Sequence, residues 1–185
     1  GNWTSLISIS SKILTNKTDE NDDNFLDIPL HAEHSFYNKW TYRSIDKFFF
    51  LGALRYTNDQ IVGGQINFNK NTDKGSSIIY GQYIQFSQPE LYTKMSYRLN
   101  DNQTFITESA FSYHHQNSFF GTTEYIAKQS IYYFNFSHIL NWKNHKLNSG
   151  IQYKSQNLDE NVFFNDTLNR NNPATTKKEQ TTGAF

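Results

Sequence analysis

The chain has 185 residues, with 17 basic and 17 acidic side chains and a formal net charge of zero, which argues against nucleic acid as the main partner because phosphate binding needs a basic excess or stripe. Aromatic residues make up 17% of the chain while the mean hydropathy is −0.73, a balance that fits neither an ordinary aliphatic core nor a disordered chain. With no cysteine there is no disulfide framework or thiolate metal site, and no apolar run is long enough for a membrane-spanning helix. A transmembrane β-barrel remains open, because strands that alternate lipid-facing and lumen-facing side chains keep the average hydropathy low.

In chain order, residues 3–13 predict a first strand, blurred where Leu6 stands beside Ile7. The acidic stretch 19–27 follows as a loop. Residues 31–44 predict a second strand, with Phe36, Trp40 and Tyr42 opposite Lys39, Thr41 and Arg43. A short turn at 45–47 leads into a third strand over 48–57. The clearest alternation runs from Glu90 to Leu99, where Leu91, Met95, Tyr97 and Leu99 share one parity and Glu90, Tyr92, Lys94, Ser96 and Arg98 the other. A polar turn at 100–103 returns the chain through 104–115, with Phe105, Phe111 and Tyr113 on one face and Glu108, Ser112 and His114 on the other. Residues 130–142 repeat the pattern, 143–145 turn, 146–157 run back, and 181–185 begin an eighth segment.

Short turns at 45–47, 100–103 and 143–145 alternate with long polar connections at 14–30, 58–79, 117–128 and 158–177. This is the organisation of an outer-membrane barrel, with short periplasmic turns and longer extracellular loops. Strands of 10 to 14 residues match a tilted bilayer crossing better than the strands of a soluble sandwich, which run to about 5–6 residues. The fold class expected is therefore all-β: an antiparallel transmembrane β-barrel segment of about seven to eight strands, with residues 1–185 as part of one barrel domain. Gly1 is no initiator, and the chain reads as an internal part of a longer protein.

Four segments strengthen this. The run 117–132, Asn-Ser-Phe-Phe-Gly-Thr-Thr-Glu-Tyr-Ile-Ala-Lys-Gln-Ser-Ile-Tyr, closely resembles a barrel segment of TonB-dependent outer-membrane receptors of the Bacteroidetes type. Gly63-Gly64-Gln65, after Asn58-Asp59, and Gln88-Pro89-Glu90-Leu91-Tyr92-Thr93-Lys94 are similar to segments of the same family. Residues 19–29, from Asp19 to Pro29, resemble its acidic D-x-N-x-D-G-F-x-D-x-P loop. The resemblance implies a plug domain inside a barrel of about 22 strands, both lying largely outside this chain. It also implies uptake of a ferric siderophore, haem, cobalamin or similar metal-chelate or small-molecule cargo, driven by the TonB complex through the plug. Outer-membrane lipid would be the surrounding partner, in a Gram-negative bacterium. The alternatives are a passive porin or small outer-membrane barrel with adhesive loops, and a soluble carbohydrate-binding sandwich.

Candidate site residues fall in two groups. Asp19, Asn21, Asp23 and Asp27 occupy positions 1, 3, 5 and 9 of a calcium-loop pattern, with Phe25 offering its backbone carbonyl; Asn24 stands where Gly is usual, and Leu30 where a bidentate Glu is expected. Phe119, Phe120 and Tyr125, beside an expected extracellular loop, and His114, on the polar parity, are candidates for touching cargo. The pairs His31/His34 and His114/His115 are discounted as metal sites, because neither spacing puts both rings on one face of a strand. With no nucleophile, phosphate-binding or zinc-protease motif, the chain is expected to be non-enzymatic.

Overall fold

The computed structural model describes residues 2–45, 47–164 and 175–185. They form one eight-stranded antiparallel sheet in sequence order: β1 (Trp3–Leu14), β2 (Leu30–Arg43), β3 (Phe48–Gly64), β4 (Gly81–Asn100), β5 (Gln103–Phe120), β6 (Thr123–Trp142), β7 (His145–Phe164) and β8 (Thr175–Ala184). The all-β, antiparallel expectation holds. The sheet is not closed, since β1 pairs with β2 and β8 with β7 but not with each other.

The register sorts the side chains into two faces, because directly opposed residues of an antiparallel pair point the same way. One face carries successive rows, each running from strand to strand. Phe48, Tyr97 and Phe105 make the first row, and Trp3, Tyr42, Phe50, Met95, Phe136 and Ile151 belong to the second. Trp40, Phe134 and Tyr153 are in the third, Ile7, Leu54, Leu91, Phe111 and Tyr132 in the fourth, and Ile9, Phe36, Tyr56 and Tyr113 in the fifth. From β1 to β7 none of these five rows holds Asp, Glu, Lys or Arg.

Many of these apolar side chains lie open: Ile9 is 77% exposed, Ile7 64%, Trp3 57% and Ile151 56%. A soluble single sheet would have to cover such a surface with a second layer.

The opposite face is polar. Four ion pairs of the described residues stand on it, Lys12–Glu33, Arg55–Glu90, Lys94–Glu108 and Lys177–Glu160, together with the His31–Asp59 contact at 2.7 Å. Lys94 donates to Glu108 Oε1 at 2.6 Å, and the Tyr92 hydroxyl donates to the same oxygen at 3.3 Å. Within these pairs each group is answered by a cross-strand neighbour on its own face.

The strands outrun the expected ones. β4, β6 and β7 each have 20 residues and β5 has 18, about twice the 9–11 that a tilted bilayer crossing needs. The connection expected over 117–128 is therefore a correction: it is a hairpin whose ladder runs to Phe120↔Thr123, closed by Gly121 and Thr122 alone. Gly121 has φ 58°, a conformation glycine adopts without penalty, and it allows the two-residue turn. The long connection after residue 57 likewise begins only at Gln65, and that expected over 158–177 is strand as far as Phe164. Its remainder at 165–174, and Asp46 of the 45–47 turn, lie outside the described residues.

Buried side chains gather near the loop end. Phe68, from the 65–80 connection, is only 7% exposed and lies over Gly81, where a Cβ would come within 2.1 Å of its ring. Tyr83 and Ala127 are also buried there.

Candidate functional site

The acidic loop 19–27 is folded by its own carboxylates. Asp19 Oδ1 accepts from the Asp23 amide at 3.1 Å and Oδ2 from the Asn24 amide at 2.9 Å. Asp23 Oδ1 accepts from Phe25 N at 2.8 Å, Asp23 Oδ2 from Asn21 Nδ2 at 3.0 Å, and Asp27 Oδ2 from Glu20 N at 2.7 Å. Asp22 and Asn24 take positive φ values of 58° and 65°, so Asn24 fills the place of the usual glycine in conformation as well as in sequence.

The loop is fastened to the end of β3. Phe25 bridges Gln65, Leu26 N donates to Gly64 O, and Ile66 N donates to Asn24 O, both at 2.9 Å. Gly64 itself has φ 102°, and a Cβ there would meet Gly81 Cα and Tyr80 O at 2.7 Å, so the Gly63-Gly64-Gln65 segment is the knot that ties two loops to one strand end. Asp19, Asp23 and Asp27 each give at least one carboxylate oxygen to a backbone amide of the loop.

The four candidate cargo residues are divided by the pleat. Phe119 shares the apolar-side parity with Tyr83, and the Lys74 ammonium stands 3.7 Å from the Tyr83 ring centroid and 5.7 Å from that of Phe119. Partial burial pushes the Lys74 ammonium below the ordinary value of 10.5, helped by Lys70 and opposed by Glu124. Phe120 and Tyr125 point to the polar side, where the Tyr125 hydroxyl donates to Glu160 Oε1 at 2.8 Å. Burial, then the hydrogen bond and charge of Glu160, push the Tyr125 phenol up to about 12.

His114 lies on the polar face as expected. Its Nδ1 is 3.0 Å from Gln88 Oε1, its Nε2 3.3 Å from Gln116 Oε1, and its ring packs on Phe86 at 5.0 Å between centroids. Gln88 Nε2 donates to Glu90 Oε1 and Gln116 Nε2 to Ser118 Oγ, at 2.6 and 2.9 Å, so His114 sits in the middle of a polar chain running along the wall. His31 and His34 point to opposite faces, as the pleat requires: His31 toward Asp59, His34 toward Ser11 at 3.0 Å.

One feature of the polar face was not legible in the sequence. Ala53, Tyr92, Ala110 and Tyr133 are successive members of one row across β3 to β6. Beside the two small residues and Tyr92 lies a depression of about 410 Å³, bordered by Tyr37, Arg55, Glu90 and Ile131. The signal lies across four strands, so no single stretch of sequence carries it.

Compared with protein-family models, curated proteins and solved structures, the chain matches none.

Proposed function

We propose that the chain is part of the wall of an outer-membrane β-barrel receptor of the TonB-dependent kind, which takes up a metal chelate or similar small cargo. The observation that carries this reading is the contrast between the two faces: five consecutive rows without a charged residue from β1 to β7, backed by a face laced with ion pairs. Five rows span eight residue steps, about 27 Å along a strand at ~3.4 Å per residue. Tilted by about 35–45°, that becomes roughly 20 Å of height, near the ~25 Å apolar band of outer-membrane barrels once side-chain reach is added.

Aromatic residues border the rows, with Trp3, Tyr42, Phe48 and Tyr97 at the turn end and Phe36, Tyr56 and Tyr113 at the loop end, as interfacial girdles do. The polar face would line a watery lumen, and the depression beside Arg55, Glu90 and Tyr92 would offer that lumen a mixed aromatic and charged surface.

The test is uptake. Cells lacking the protein should lose accumulation of one class of chelate, and a protonophore should abolish the uptake that the protein supports. Uptake that persists without an energised inner membrane would point instead to a passive pore, and no uptake defect for any small cargo would point to adhesive loops.

A further inference from the structure

His31 and Glu33 stand two residues apart on β2, so both side chains leave the same face of the sheet, and Asp59 on β3 is the register partner of Glu33. One ligand atom from each lies within 4.8 Å of the other two. We propose that these three residues form a binding site for a divalent transition ion of the Zn²⁺ kind, at the loop end of the polar face. The three ligands all come from β2 and β3, and the inference stands or falls independently of the uptake reading.

The donor set is one imidazole nitrogen and two carboxylate oxygens, a combination that suits Zn²⁺ and its neighbours better than the all-oxygen preference of Ca²⁺ or Mg²⁺. Bond lengths of about 2.0–2.2 Å place the ligand atoms of a tetrahedral site about 3.4 Å apart. His31 Nε2 and Asp59 Oδ1 are already 2.7 Å apart, and the third ligand atom is within 4.8 Å of both, so small side-chain rotations on two paired strands would complete the arrangement. Three protein ligands leave the fourth position for water or for a donor atom of a bound molecule.

Charge points the same way. Asp59 is only 8% exposed, and a buried carboxylate needs a partner. Lys12 from β1 pairs with Glu33 of the cluster, and Lys17 and Lys70 line the depression that His31 borders. Two carboxylates thus converge beside one imidazole. Lys12 reaches Glu33 Oε2 at 3.6 Å from a side chain that is 74% exposed, so it can swing into solvent and leave Glu33 to an ion.

The experiment is a Zn²⁺ titration of the chain refolded in detergent micelles, stripped with a chelator, and read against a competing chromophoric indicator. One ion per chain is expected. His31→Ala and Asp59→Asn should weaken it by more than the roughly 10–100-fold that loss of an outer-shell partner costs, while His34→Ala, on the other face of the same strand, should leave it unchanged.

A second measurement uses only the unaltered chain: Zn²⁺ should shield His31, and not His34, from carbethoxylation by diethyl pyrocarbonate, read by mass spectrometry. The proposal is overturned by absence of Zn²⁺ uptake, by wild-type affinity in His31→Ala and Asp59→Asn, or by a His31 reactivity that Zn²⁺ does not change.

Discussion

Along β6 the residues on one face read Phe136, Phe134, Tyr132 and Ser130 in the turn-side half, then Lys128, Ile126 and Glu124 toward the hairpin tip. The strand, the pleat and the hydrogen-bond ladder are continuous; the composition of that face changes. In the turn-side half the two faces differ sharply, one apolar and one charged. In the loop-side half both faces carry polar or charged groups: Lys128 and Asp159 stand on the parity that is apolar below, and Glu160 and Tyr125 on the other. Secondary structure is therefore set by the ladder along the whole length, while the environment changes partway, as it would where a wall leaves a bilayer.

The sharpest way to break this comparison is to put a charge on the apolar parity at two heights of one strand. Phe134→Arg, in the middle row, is expected to cost about 2–4 kcal/mol, whereas Ser130→Arg, two rows nearer the loops, should cost about 0–1 kcal/mol. Denaturant unfolding in lipid vesicles would read both, and equal penalties would remove the distinction between the halves. A loop-side packing change comes next. Gly81→Ala would thrust a Cβ into the Phe68 ring, and overpacking of this kind costs about 1–3 kcal/mol; protease nicking of the 65–80 loop should rise in that variant while cleavage elsewhere stays constant.

On the polar face of the turn-side half, Glu108→Ala leaves Lys94 and the Tyr92 hydroxyl without their shared acceptor, and a loss of roughly 1 kcal/mol is expected for this half-exposed pair. Lys94→Met added to it should recover part of that loss, and strict additivity in the double-mutant cycle would deny the coupling.

The smallest effect concerns Tyr125 near the tip. Its pKa is raised from 10.0 to about 12 in the folded chain, so the stabilisation it gains is complete below pH 10 and fades as the pH rises through about 12. The stability gap between the chain and Tyr125→Phe should shrink over that window, and a gap that widened would reverse the sign assigned to the Glu160 contact.

The same contrast explains what was legible in the sequence. Period-2 alternation marks a strand only where its two faces meet different surroundings, and that holds for 90–99, 104–115 and 130–142, whose parities agree with the register. Past Asn117 both faces mix apolar and polar residues, Phe119, Ile126 and Glu124 on one and Phe120, Tyr125 and Ser118 on the other, so Asn117 to Lys128 reads as a long loop although it is a paired hairpin. The short turns at 101–102 and 143–144 were legible from their Asn, Asp and Lys content, and Lys143 takes the positive φ that such a turn demands.

The acidic loop was legible as a turn-forming run. That its carboxylates cap backbone amides, and that Gly64 anchors it, depends on β3 ending beside it, which no local pattern announces. The grouping of His31 and Glu33 with Asp59 was half legible, as a His-x-Glu pair on one side of a strand; its third member needed the register.

The measurement that tests the account most directly is a spin-label scan of β4, β5 and β6 in lipid vesicles, made clean by the absence of native cysteine. Labels at 105, 107, 109, 111 and 113 should favour collisions with lipid-soluble oxygen, and those at 106, 108, 110 and 112 collisions with a water-soluble nickel chelate. That alternation should die away from 115 to 120, where the strand continues but the apolar rows do not. Alternation that persists undiminished to the hairpin tip, or equal access to both reagents along the whole strand, would contradict a wall that crosses a bilayer in its turn-side half alone.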